Sequence, residues 1–431
     1  MAACAAQTGN PPTPALTRVS HTLAAPTPPS ASLPQKVLPG IDVLAQRDFS
    51  ALRGKRVGLL TNQAGVNSRG VPTIDILKSA RNVNLVALFA PEHGLYGDAK
   101  ANDSVADRID ARTQLPVYSL YGKTRRPTAA MLDRIDVLVI DLQDLGVRSY
   151  TFISAMRYVM EECFRAGKEV MILDRPNPLG GLKVDGPMMD DALMSYVGAY
   201  RVPYVFGLTI GELALMAKGT PGWLDVPENV RKAGKLTVIP MSGWRRSMRW
   251  PDTGLVWKPT SPAIQDWNAA VGYSMTGLGC MMGGFSHGIG SEYPFRTLRY
   301  PGKMPEEVLT ALRAEKIPGL DFRIMSLVQN GKTIRGVYVS VSDWNAFRPT
   351  EISFHLMHIA AQWNREAGKG NPFAKASADD ALLFNKHTGS QALWDALVRH
   401  GEAADVGGMV DSWARDDRIF QDRSRKFWLY K

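Results

Sequence analysis

From residue 55 onward, short runs of aliphatic and β-branched residues alternate with stretches whose apolar positions recur at helical spacing. The runs at 56–61, 84–89, 117–120, 137–142 and 169–173 predict strands. Their near-continuous apolar character is that of a parallel sheet covered on both faces. Helices are expected near 73–80, 128–134 and 151–166, the last with apolar side chains at 152, 153, 156, 159, 160, 163 and 164 on one face. A further helix over 209–218 opens with Thr209 as N-cap and Glu212 three positions on, a capping box. This first part, 39–235, therefore reads as a doubly wound unit of the α/β class. Beyond it the pattern changes to strands at 236–240, 321–327 and 333–341 and helices near 350–364 and 390–399, which predicts a second, α+β domain over 236–431. Residues 1–38 hold Pro, Ala, Ser and Thr without any hydrophobic period, the composition of a disordered tether or signal remnant. Gly and Pro crowd the stretch 251–301, which fits loops bordering a cleft.

Composition narrows the function classes. With 431 residues, 45% of them hydrophobic and 21% charged, the chain can bury a full core without disulfides. No apolar run is long enough to span a membrane. The formal net charge of +10 is dispersed along the chain, with no basic stripe interleaved with aromatics. It favours an anionic partner such as an envelope polymer or a carboxylate-bearing substrate, and nothing supports nucleic acid. Of the three cysteines, Cys163 and Cys280 read as buried thiols. Neither a zinc spacing nor a CxxC pair occurs, so no metal is expected. Cys4 follows a small-residue pair in Met1-Ala2-Ala3-Cys4-Ala5, which reads either as a lipidated cysteine with the rest of its signal missing or as an incidental residue in the tail. Gly277-Leu278-Gly279 with Gly283 and Gly284 lacks the spacing of a dinucleotide fingerprint, and there is no Walker loop. No cofactor is expected.

Ligands of open parallel sheets bind beyond the carboxyl ends of the strands. There the sequence places Thr61-Asn62-Gln63-Ala64-Gly65, Pro91-Glu92-His93-Gly94, Tyr121-Gly122-Lys123, a segment from Gln143-Asp144 to Arg148-Ser149-Tyr150, and Asp174-Arg175-Pro176-Asn177. Glu92 is the sharpest candidate for an acid, because a carboxyl between Pro and Gly at a strand end is held on rigid backbone where partial burial can raise its pKa. Glycoside cleavage needs a second carboxylate, for which Asp98, Asp141 and Asp144 are in position, Asp144 being the choice for the catalytic set. His93 can orient Glu92 or move a proton itself. Arg148 and Arg175 suit bidentate capture of a substrate carboxylate, or a structural ion pair with Asp144 or Asp174. Asn62, Gln63, Asp141 and Asn177 suit sugar hydroxyls and amides, and Tyr150 and Trp257 suit stacking on a sugar ring or a place in the core.

Four segments together resemble the exo-β-N-acetylmuramidases of glycoside hydrolase family 171. They are Val57-Gly58-Leu59-Leu60-Thr61-Asn62-Gln63-Ala64-Gly65-Val66, Leu88-Phe89-Ala90-Pro91-Glu92-His93-Gly94-Leu95-Tyr96-Gly97, Asp141-Leu142-Gln143-Asp144-Leu145-Gly146-Val147-Arg148-Ser149-Tyr150-Thr151 and Asp174-Arg175-Pro176-Asn177-Pro178-Leu179-Gly180-Gly181. Trp413, Asp417, Phe420, Arg425 and Leu429-Tyr430 match the ending of that family. The resemblance implies a Rossmann-like N-terminal domain, a C-terminal α/β domain and a cleft that releases terminal N-acetylmuramic acid from peptidoglycan fragments, with Glu92 as the catalytic glutamate. With the signal-like start at Cys4, the expectation is an exported, periplasmic or outer-envelope lipoprotein. One segment departs: where the family carries a Glu and an Arg, this chain has Met281 and Ile289, which implies weaker discrimination for muramic acid. The competing expectation is a catalytically weakened protein that binds muropeptides or wall glycan.

Overall fold

The computed structural model describes residues 36–97, 99, 106–278 and 282–431. The expectations for 1–35, Asp98, Cys280 and Met281 lie outside the described residues. Seven strands form the large sheet: β1 (Arg56–Thr61), β2 (Asn84–Ala90), β3 (Arg108–Ile109), β4 (Pro116–Ser119), β5 (Val137–Asp141), β6 (Glu169–Leu173) and β7 (Leu236–Ile239). Their order is β3-β4-β2-β1-β5-β6-β7. All neighbours run parallel except the short edge strand β3. The chain leaves β1 toward β2 and β4 and then crosses to β5 on the other flank of β1. The sheet therefore reverses direction between β1 and β5, the position where a doubly wound fold opens a crevice.

Alternation along the strands explains why the apolar runs are continuous. Leu60, Leu138, Ile140, Val170 and Ile172 point to one core. Val57, Leu59, Val137, Val139, Met171 and Leu173 point to the other. Helices Gly40–Gln46 and Thr73–Ser79 cover the second face, and Phe152–Arg165 and Ile210–Gly219 the first. Thr209 and Glu212 make the expected capping box. Cys163 is a buried thiol on the Phe152–Arg165 helix.

A smaller antiparallel sheet, β8 (Thr297–Leu298), β9 (Leu320–Gln329) and β10 (Lys332–Val341), has the order β8-β10-β9. Helices Trp267–Thr276, Pro305–Ala314 and Glu351–Glu366 pack with it, and their apolar side chains share the core of the first face.

Two boundaries differ from the sequence reading. Strand β7 pairs in parallel with β6 and buries Ile239 in the second core, so the large sheet extends past residue 235. Val37 and Leu38, expected at the end of the tether, belong to the body. Val37 is buried beside Met241, Trp244 and Tyr430, and Leu38 pairs with Ser242.

Distant segments close over the first sheet. Tyr430 donates its phenol to Asp174 at 2.5 Å, and Asp174 also accepts from Gly211 N and Thr209 Oγ1, each at 2.8 Å. Burial, opposed by these donors, pushes the Asp174 carboxyl up to about 7. Beside it the buried pair Arg246–Glu212 takes a further hydrogen bond from Leu429 N.

Candidate active site

The Pro91-Glu92-His93-Gly94 segment is a tight turn closed by Gly94 N donating to Pro91 O at 3.0 Å. His93 and Gly94 both adopt left-handed backbone, with φ of 70° and 78°, which turns the chain sharply and leaves Glu92 at its corner. Thr151 Oγ1, just before the Phe152–Arg165 helix, donates to Glu92 Oε2 at 2.7 Å. The Tyr121 hydroxyl, from the loop after β4, is hydrogen-bonded to Glu92 as well. Burial, with the Glu92 charge and that hydrogen bond, pushes the Tyr121 phenol up to about 12. His93 Nδ1 donates to Ala99 O at 3.0 Å, which fixes the ring.

Asp144 lies in the loop after β5. Its Oδ2 accepts from Gly146 N at 2.7 Å, while its buried Oδ1 has no protein partner. Gly146 has φ 73°, and a Cβ there would stand 2.4 Å from the Asn177 carboxamide, so this turn requires glycine. Burial pushes the Asp144 carboxyl up to about 7, against the backbone N–H groups of Gly146 and Leu145. Glu92 and Asp144 belong to one electrostatic environment, since the charges of both raise the phenol of Tyr150, after its own burial.

Three amide side chains face the same crevice from the reversal point of the sheet. Asn62 accepts from Ala64 N through Oδ1 at 3.1 Å, and its Nδ2 is buried without a protein partner. Gln63 donates to Pro259 O at 2.9 Å, and Gln143 donates to Asp144 O and Pro176 O at 2.8 and 2.9 Å; the Oε1 of each is unpartnered. Gly97 packs against Gln63, where a Cβ would come within 2.4 Å of the carboxamide, so the loops after β1 and β2 are in contact. An unpaired buried polar atom costs about 1–3 kcal/mol. Their concentration at the carboxyl ends of β1 and β5 marks a surface shaped for a polar ligand.

The other expected site residues are engaged elsewhere. Arg175 pairs with Asp141 through Nε and through Nη2 at 2.8 Å, and donates to Val66 O at 2.7 Å. Asp141 also accepts the Thr73 hydroxyl. The pair is buried, and the Asp141 carboxylate neutralises the guanidinium through two of its nitrogens. Its partner choice also differs from the expected Asp144 or Asp174. Arg148 donates to four backbone carbonyls, Pro187, Val202, His387 and Thr388, at 2.6–3.2 Å. Burial lowers its guanidinium to about 10, which leaves it charged at neutral pH and matched by carbonyl dipoles. It fastens the loop after β5 to the end of the Ala378–Thr388 helix and does not reach a substrate. Asn177 spends Nδ2 on Leu208 O at 3.0 Å and Oδ1 on Leu179 N at 3.0 Å. Tyr150 donates to Thr260 Oγ1 at 2.8 Å, and its ring meets Phe152 and Tyr273 edge-on. Trp257 packs edge-on against Trp250. Tyr150 and Trp257 thus serve packing, while the Gly- and Pro-rich stretch does border the site through Pro259 and Thr260. Ile289 is half exposed, and its carbonyl accepts from Gln329 on β9, at the margin of the small sheet.

Sequence reasoning missed an aromatic wall. Tyr121 and Tyr196 rings lie 5.7 Å apart, and Tyr158 lies 5.6 Å from Tyr196. The Glu92 charge raises the phenols of both Tyr196 and Tyr273, in each case behind burial as the main cause. Ser149 shares hydrogen bonds of 2.9 Å with Tyr204 and Tyr273. Tyr196 and Tyr273 stand alone in irregular or helical sequence and carry no local signal, whereas Thr151 was visible within the quoted Ser149-Tyr150-Thr151 run. Among the described residues no His, Cys, Asp and Glu group is arranged to hold a metal ion.

Comparison with known proteins matches the chain to one family throughout this region. The profile of exo-beta-N-acetylmuramidase NamZ, N-terminal, covers residues 57–268, and that of its C-terminal part covers 271–430. A peptidoglycan beta-N-acetylmuramidase NamZ from Bacillus subtilis (strain 168) is 38% identical over 328 residues, 75% of this chain and 77% of that protein. Two crystal structures of DUF1343 family proteins from Bacteroides fragilis NCTC 9343 share the fold. One superposes with a TM-score of 0.81 at 39% identity and the other with 0.68 at 26%, each over 92% of this chain and 99% of the other.

Proposed function

The chain belongs to the exo-β-N-acetylmuramidase NamZ family, and from that premise we propose that it is a glycosidase removing terminal N-acetylmuramic acid from peptidoglycan fragments, with Glu92 and Asp144 as its working carboxyl groups. The observation that carries the assignment is the contrast between these two. Asp144 is buried, has a free Oδ1 and is raised to about 7, so it can hold a proton at neutral pH and give it to the leaving oxygen. Glu92 accepts two hydroxyl hydrogen bonds and can present negative charge to the oxocarbenium-like transition state. The sequence reading gave the proton to Glu92; both carboxyls are buried, and the unpartnered Oδ1 of Asp144 against the hydroxyl donors on Glu92 favours the reverse. Asn62, Gln63 and Gln143 offer one donor and two acceptors for the hydroxyl and acetamido groups of the sugar. The His93 ring, tethered through Nδ1, supports the turn that aims Glu92.

The substrate polymer lies in the bacterial envelope, which supports an exported protein that recycles wall material there. A lipid anchor on Cys4 fits that location, its support being the small residues Ala2 and Ala3 before it. Among the described residues no helix is long and apolar enough to cross a membrane.

The test is turnover of N-acetylmuramic acid glycosides with good and poor leaving groups. Wild-type protein should cleave both, with kcat/KM falling as pH rises past about 7, where Asp144 loses its proton. Asp144→Asn should lose at least about 10²-fold on the poor leaving group and much less on the activated one, while Glu92→Gln should fail on both. The opposite pattern would return the proton to Glu92. No turnover by wild-type protein, with binding retained, would leave a glycan-binding protein.

A further inference from the structure

The sugar proposed above differs from N-acetylglucosamine by a lactyl ether that ends in a carboxylate. That anion must lie within one sugar residue of the catalytic carboxyls, where an unpaired cation would receive it. Arg148 is buried on backbone carbonyls, and the charge of Arg175 is already paired with Asp141. Arg126 is engaged by Glu161 and Glu162, and Arg157 by Glu161.

Arg125 differs from all of these. It is exposed, and it forms no salt bridge among the described residues. Its guanidinium lies 5.0 Å from the centre of the Tyr121 ring and 4.4 Å from that of Tyr196. The Tyr121 hydroxyl links the two charges, bonded to Glu92 and close enough to Arg125 for a hydrogen bond. The guanidinium therefore rests on an aromatic shelf at the mouth of the site, one side chain away from Glu92. Stacking on two rings limits its rotamers while its N–H edge stays available, the arrangement in which arginine grips a carboxylate through two parallel hydrogen bonds.

We propose that Arg125, held on Tyr121 and Tyr196, is the specificity-determining residue that receives the lactyl carboxylate of N-acetylmuramic acid. This rests on the muramidase reading and adds the group that reads the acid. Placing that anion on Arg125 also seats the sugar against the wall that carries Tyr121, and so against Glu92. Lysine in its place supplies charge without the planar fork, so it should serve less well.

The experiment compares kcat/KM on matched aryl glycosides of N-acetylmuramic acid and of its lactyl carboxamide, which keeps the shape and removes the charge. Wild-type protein should prefer the acid. In Arg125→Gln that preference should shrink by about 10- to 100-fold, mainly through KM, and Arg125→Lys should recover part of it. An unchanged ratio, with both substrates affected alike or not at all, would overturn the proposal. Calorimetric binding of free N-acetylmuramic acid and N-acetylglucosamine to the same variants reads the same preference without turnover. If wild-type protein cleaves neither glycoside, the activity reading fails, and loss or retention of the binding preference in Arg125→Gln still decides the role of Arg125. A melting temperature within a degree or two of wild type, expected for an exposed side chain, separates this from misfolding.

Discussion

The loop after β6 and the loops after β1, β2 and β5 leave the same edge of the same sheet and draw on the same residue types. After β6, Asp174 accepts from four donors, Arg175 is closed by Asp141 and Val66, and both ends of the Asn177 amide are bonded. After β1 and β5, Asn62, Gln63, Gln143 and Asp144 each keep one polar atom unpartnered although buried. Position and chemistry are alike; hydrogen-bond saturation separates them. The saturated loop holds the architecture, and the unsaturated loops retain a cost of about 1–3 kcal/mol per group that a ligand can relieve.

Substitutions on the two sides should therefore fail in different ways. The largest effect is expected for Glu92→Gln, with kcat on an N-acetylmuramic acid glycoside lowered by about 10²–10⁴-fold and the melting temperature nearly unchanged. A variant that keeps more than about a tenth of the wild-type rate would remove Glu92 from the chemistry. On the saturated side, Asp141→Ala leaves the Arg175 charge buried without its partner and should cost about 3–5 kcal/mol of stability, read as a lower urea midpoint. If it reduced activity while leaving the midpoint in place, the division between the loops would break. The smallest and most specific effect belongs to Asp144→Asn. The folded carboxyl sits near 7 against an ordinary value of 3.8, so the native state binds the extra proton and wild-type stability falls as pH rises through that window. The amide escapes this penalty. At pH 8 the variant should melt on the order of a few degrees higher than wild type, and the gain should vanish below about pH 4. A loss of stability at pH 8 would show that the Asp144 charge is held rather than tolerated.

Much of this was legible in the chain. Strands β1 and β6 have the expected limits because each is a continuous buried apolar run that begins at a polar residue, Arg56 or Glu169. Glu92 was legible because Pro91, His93 and Gly94 encode a turn at a strand end. The arginines were not. The four carbonyls that claim Arg148 belong to Pro187, Val202, His387 and Thr388, and no local pattern announces a partner so far along the chain. For the same reason β7 was set in the second domain: four residues with ordinary apolar content do not say which sheet they join, and pairing with β6 decides it. Arg125 went unnoticed because its significance lies in the rings beneath it, and Tyr196 reaches it from 71 positions away.

The hydrogen bond between Tyr430 and Asp174 joins residues 256 positions apart. At typical elongation rates of about 5–20 residues per second, roughly 10–50 s pass between synthesis of the carboxyl and synthesis of the phenol that closes over it. Throughout that interval the strand carrying Asp174 lacks one of its partners, and the buried acid beneath β6 remains open to water. The nascent polypeptide is thereby kept from settling early, and the last turn of synthesis completes the hydrogen bonding of a strand made long before it.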